Sequence, residues 1–157
     1  MKIFVNSYIY VYERFFRMFD FFEQRDALVF ILPKLWKSKG GKIKDVPADS
    51  SQFKIIKAWT PFYHSHYPII RGMLKGWMPS TGRILRKLAH KGDVLFCPGE
   101  PNLLVTYLYS RLAKKRGLKH VFLTFQNIEH EKRLSGIKLK ITKWLIRQNI
   151  KLSAGAL

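Results

Sequence analysis

Glu100, Gln126 and Asn127 are the side chains whose setting best suits chemistry, because each follows an apolar run that reads as a strand. The run DVLFCP (Asp93 to Pro98) precedes Glu100, and HVFLTF (His120 to Phe125) precedes the two amides. A carboxylate accepts hydrogen bonds from hydroxyl groups and gains from lying near the positive end of the helix predicted to start at Pro101. Side-chain amides both donate and accept, which suits recognition of a polyol better than proton transfer. The competing readings are a helix-capping acid for Glu100 and loop-stabilising amides for the other two. Asn6 and Ser7 end the run MKIFVNS in the same way. Ligands of an open α/β sheet bind beyond the carboxyl ends of its strands, so all five residues could converge on one cleft.

Other candidates carry less chemistry. Tyr8, Tyr10 and Tyr12 alternate as strand residues do and could face a sugar or lipid, but core packing is the favoured reading. His64 and His66 would share one strand face, yet no nearby Cys, Asp or Glu completes a metal set, so no metal site is expected. Glu129, His130 and Glu131 occupy adjacent positions that point different ways on a helix and read mainly as a helix start. Cys97 reads as a small buried thiol without a base partner.

The elements that would position these groups alternate between strand-like and helix-like runs, as a parallel sheet with crossover helices requires. Strands are predicted over Met1 to Asn6, Asp26 to Leu32, Phe53 to Ala58, Asp93 to Pro98 and His120 to Phe125, with a further strand beginning at Leu152. Helices are predicted over Glu13 to Gln24, where phenylalanines recur at near-helical spacing, and over Ser80 to His90, Pro101 to Arg116 and Ile137 to Asn149. Ser80 or Thr81 is the expected cap of the second, and Gly117 the expected stop of the third. Lys37 to Gln52 reads as a solvated loop, and Trp59 to Met78 as irregular with a helical piece near Ile69 to Lys75.

Composition narrows the classes. The 157 residues suffice for one packed domain, and a hydrophobic content of 47% argues against disorder. Cys97 is the only cysteine, which excludes an intramolecular disulfide or a multi-cysteine zinc site and suits a reducing cytosol. Neither a signal peptide nor a spanning segment is read. With 29 Lys and Arg against 10 Asp and Glu, the surface must attract anionic partners. Basic residues interleaved with tryptophan, among them Lys75, Trp77, Arg83, Arg86 and Lys87, fit a surface that meets anionic lipid headgroups.

The segment DVLFCPGEPNLLVTYLYSRLAKKRGLKHVFLTFQNI resembles the amino-terminal domain of retaining family 4 glycosyltransferases. The matching residues are Glu100-Pro101 in the turn after one strand and Thr124-Phe125-Gln126-Asn127 at the end of the next. The likeness extends more weakly to MKIFVNS and to WLIRQNIKLSAGAL, and is convincing over about 60 residues. It departs in two places. Asn6-Ser7-Tyr8 replaces a Gly-Gly loop, and Gln126 stands where the family has histidine, so histidine-dependent roles do not carry over.

The resemblance implies a Rossmann-like, three-layer α/β domain with a mainly parallel sheet, the amino-terminal half of a GT-B fold. Asn6, Ser7, Glu100, Gln126 and Asn127 would bind a saccharide or lipid-linked acceptor. No cofactor is implied. A nucleotide-sugar donor would be the co-substrate, held mainly by a carboxyl-terminal domain beyond Leu157, and the fragment alone would be inactive. The expected setting is the cytoplasm, peripheral at the inner face of the cell membrane. The rival expectation is a basic nucleic-acid-binding protein, against which stands the lack of any recognisable nucleic-acid motif.

Overall fold

Phe4 and Val5 face opposite ways, and that alternation repeats along the neighbouring strand, so the sheet is buried on both faces. The computed structural model describes residues 1–12, 15, 17–38, 41, 43–45, 53–64, 72–124 and 134–156. Its strands are β1 (Ile3–Asn6), β2 (Leu28–Pro33), β3 (Leu35–Lys37), β4 (Ile43–Asp45), β5 (Lys54–Ala58), β6 (Val94–Cys97), β7 (Lys119–Phe122) and β8 (Gly155–Ala156). The α-helices that lie wholly among the described residues are α1 (Thr81–Leu88), α2 (Leu104–Arg116) and α3 (Gly136–Leu152).

Six strands form one sheet in the order β5-β2-β1-β6-β7-β8, and every pairing in it is parallel. Counted along the chain, this is the doubly wound order third, second, first, fourth, fifth, sixth. The fold is therefore a Rossmann-like α/β domain, as expected from the sequence. β3 and β4 make a separate antiparallel ribbon.

One face carries Phe4, Val29, Ile31 and Leu95 against Leu85 of α1 and Val105, Tyr109 and Ala113 of α2. α3 packs on α2 through a buried polar contact. Asn149 accepts a hydrogen bond from Ser110 Oγ at 3.0 Å and donates to the Pro101 carbonyl at 2.7 Å. The opposite face carries Val5, Leu28, Phe30 and Leu32 under a cover of aromatic rings.

That cover differs from expectation. Within Glu13 to Gln24 the described residues make no single continuous helix: Phe15 is helical and Arg17–Phe19 is a short 3-10 turn, with further 3-10 turns on either side at Ile9–Val11 and Arg25–Ala27. Tyr10 and Phe19 meet Phe30 edge-on at 5.7 and 5.2 Å, and Phe53 closes on it at 5.3 Å. Ring packing on the sheet dictates the local backbone, and aromatic residues lose side-chain freedom in a helix. Glu13, Arg14 and Phe16 lie outside the described residues.

Two further expectations change. The segment read as a solvated loop from Lys37 to Gln52 contains β4, paired with β3 from Leu35↔Asp45 to Lys37↔Ile43. Ser80 holds the N-cap position of α1 but its side chain makes no capping bond there, and Thr81 Oγ1 donates to Asn6. α2 starts at Leu104, three residues after Pro101, and Gly117 ends it in the left-handed region at φ 66. Of the helical piece near Ile69 to Lys75, residues 69–71 lie outside the described residues, while Gly72 and Met73 are helical and Leu74 and Lys75 form a turn.

Candidate ligand-binding crevice

The strand order reverses direction between β1 and β6, and a gap opens there because the chain leaves these two strands toward opposite sides. A cavity of about 170 Å³ lies at their carboxyl ends. Asn6, Ser7 and Tyr8 line it from β1, Cys97 and Gly99 from β6, Thr106 and Tyr109 from α2, and Lys75 from the segment before α1.

Asn6 is buried and serves as a strut. Its Oδ1 accepts from Thr81 Oγ1 at 3.1 Å, and its Nδ2 reaches Cys97 Sγ at 3.9 Å, so one side chain ties β1 to α1 and β6. Tyr109 completes the floor by accepting the Met78 N–H at 2.8 Å. Burial pushes the pKa of the Tyr109 hydroxyl up, against hydrogen bonds with Asn6 and Met78. Burial likewise raises the Cys97 thiol, which stays protonated and unsuited to nucleophilic attack. Ser7 is also committed to structure, its Oγ accepting the Ile9 N–H at 3.1 Å across a tight turn.

Tyr8 forms the mouth. Its ring stacks on Trp36 at 4.3 Å with planes 15° apart. Lys75 Nζ lies 4.8 Å from the Tyr8 ring centre and 5.9 Å from that of Trp36. Gly76 makes this possible, since its backbone has φ +71 and a Cβ there would sit 2.2 Å from Tyr8 Cδ1. Burial lowers the Lys75 pKa and raises that of Tyr8.

Glu100 occupies the next stretch of the same rim. Its turn follows β6 and is pinned by Thr106 Oγ1, which donates to the Glu100 carbonyl at 2.9 Å. The carboxylate accepts from Thr124 Oγ1, just past β7, at 2.6 Å. Glu100 is therefore not the cap of α2, whose preceding residue is Leu103. Asn6, Ser7 and Glu100 thus share the carboxyl edge of the sheet. Gln126 and Asn127 lie outside the described residues, as do His66, Glu129, His130 and Glu131.

The basic residues read as one surface divide between two places. Lys75 points to the crevice, and Trp77 is half-buried against the core, stacked with Phe62 at 6.4 Å. Arg83, Arg86 and Lys87 are exposed on α1, and the first two line a shallow groove with Trp59, Lys115 and Arg116. α3 carries a further exposed face that mixes basic and apolar residues. Thr142, Leu145 and Asn149 are its buried side chains, while Ile137, Ile141, Trp144 and Ile150 are exposed beside Lys138, Lys140, Lys143 and Arg147.

Tyr8, Lys75, Thr106 and Tyr109 were not read from the sequence as parts of this site. Only Tyr8 gave a signal, by adjoining the strand end at Asn6-Ser7. Among the described residues, no group of three or more His, Cys, Asp or Glu side chains could hold a metal ion. No helix among them is long and apolar enough to cross a membrane.

The fold and the crevice define a class: a Rossmann-like α/β domain with a cavity at the switch point of its sheet. No protein-family model, curated protein or solved structure matches the chain.

Proposed function

We propose that this chain is the acceptor-side domain of a glycosyltransferase that passes sugar from a nucleotide-sugar donor to a saccharide or lipid-linked acceptor. The observation that carries the reading is the switch-point cavity, lined by the Tyr8 ring and by the hydroxyl and amide groups of Asn6, Thr106 and Tyr109, with the Glu100 carboxylate along the rim. An aromatic face beside a few fixed polar groups is the chemistry that takes a polyol. The resemblance at Glu100-Pro101 and Thr124 supplies the reaction class, a GT-B enzyme in which a second domain holds the donor.

The setting at an anionic membrane surface is part of the same proposal. It is supported by the formal net charge of +19 and by the outer face of α3, where exposed Ile137, Ile141 and Trp144 alternate with lysines. Such a face can bury its rings at headgroup depth while its cations meet lipid phosphates.

Amide-resolved NMR of the chain, titrated with a panel of mono- and oligosaccharides and separately with RNA and DNA duplexes, tests the reading. Saccharides are expected to shift the amides of Ser7, Tyr8, Gly99 and Glu100. Tight nucleic-acid binding with no saccharide response would replace the proposal with a basic nucleic-acid-binding function.

A further inference from the structure

We infer that the crevice contains an anion subsite, formed by Lys75 and the uncapped amide end of α2, and that its ligand carries a phosphoryl group. The inference rests on the saccharide-binding reading and makes the acceptor a phosphorylated one.

Lys75 is held over Tyr8 and Trp36 by its charge on two ring faces, which fixes the ammonium at the cavity mouth. Among the described residues it makes no ion pair, and no acidic side chain lines the cavity. Half-burial already lowers the Lys75 pKa, so the ammonium is short of solvent and is stabilised by an incoming negative charge.

The second source of positive potential lies on the facing wall. α2 runs for 13 residues, has no acidic residue in its first turn and has no side-chain cap on its leading amides. The first amides of a helix have no intrahelical partner, and they bind phosphate through both hydrogen bonding and the helix dipole. Leu103, Val105 and Thr106 from this end line the same cavity as Lys75. At about 170 Å³ the space exceeds the ~30 Å³ share of a water in the liquid several-fold, enough to admit a phosphoryl group. Gly99 keeps the approach clear, since a Cβ there would come 3.1 Å from Thr106 Oγ1.

The test uses the full chain at constant ionic strength and four probes: inorganic phosphate, a hexose, the same hexose as its 1-phosphate, and a short-chain prenyl phosphate in detergent. The 1-phosphate should bind about tenfold more tightly than the hexose, the worth of one charge-assisted contact. It should move the amides of Leu104, Val105 and Thr106. Lys75→Met should abolish that preference, so that hexose and 1-phosphate bind the variant alike, and Lys75→Arg should restore part of it. Stronger response to the prenyl phosphate than to the 1-phosphate would place the phosphoryl group in a lipid-linked acceptor, and the reverse order in a free sugar phosphate. Equal affinity for hexose and 1-phosphate in the wild-type chain, or shifts confined to Arg83 and Arg86, would overturn the subsite while leaving saccharide binding intact. Phosphate bound in the crevice with no saccharide response would retain the subsite and sink the glycosyltransferase reading.

Discussion

Thr124 Oγ1 donates a 2.6 Å hydrogen bond to the carboxylate of Glu100, joining the turn after β6 to the segment after β7. The two stretches of the carboxyl rim are thereby held at one spacing. Thr124→Val removes the donor and keeps the shape. It should cost about 1 kcal/mol in denaturant unfolding, the net worth of one hydrogen bond, and weaken saccharide binding several-fold. Unchanged binding with lowered stability would confine the pair to a structural role.

Gly76 is the least replaceable residue at the mouth. Alanine there would meet both the left-handed backbone at φ +71 and the Tyr8 ring. Gly76→Ala should destabilise the fold by about 2–4 kcal/mol, adding the backbone penalty to the overpacking one. Tyr8→Ala in the same chain should recover the overpacking part, measurable as a partial rise in Tm.

His120 is buried in β7 with Nδ1 2.7 Å from Ser153 Oγ, and burial lowers its pKa from 6.5 to about 4. The unfolded chain takes up a proton near pH 6.5 and the folded chain does not. Stability is therefore full above pH 6.5, falls as the pH drops toward 4, and loses no more below that. The loss should total roughly 3 kcal/mol. Chemical denaturation across this range should show the slope in the wild-type chain and a flatter profile in His120→Gln.

Asn149 is fully buried, and both ends of its amide are used, by Ser110 and by the Pro101 carbonyl. Asn149→Ala takes the donor from the Pro101 carbonyl, while Ser110 Oγ keeps its bond to the Tyr107 carbonyl, and should cost about 1–3 kcal/mol. Because Pro101 adjoins Glu100, amide shifts at Gly99 and Glu100 should accompany the loss. A variant with unshifted rim amides would mean that α3 does not brace the crevice.

The sheet was legible because its strands are short apolar runs bounded by glycine, proline or charge, as in DVLFCPG and KHVF. α2 was legible through Gly117, which only a helix stop required. The Phe15 to Phe22 segment read as one helix because rings packing against the Phe30 cluster recur at helical spacing, whereas helical geometry is seen at Phe15 and gives way to a 3-10 turn at Arg17–Phe19. β4 was missed because IKD carries no alternating apolar pattern. In the crevice, Asn6 and Ser7 followed from their position at the carboxyl end of β1. Lys75 could not, since nothing in a basic stretch says which lysine will fold over a tyrosine distant in sequence. Tyr109 reads as an ordinary apolar-face residue of α2, and its hydroxyl acquires meaning only where it meets the Met78 amide.

The central strand β1 borders β6 directly, so Asn6 meets Cys97 across 91 positions of chain. Closing so large a loop is entropically slow, and contacts of this separation delay folding. During synthesis the amino-terminal third therefore emerges with one edge of β1 unpaired and its apolar side chains uncovered until the later strand arrives. Such an interval favours capture by a holding chaperone and makes the isolated first half of the chain prone to aggregate.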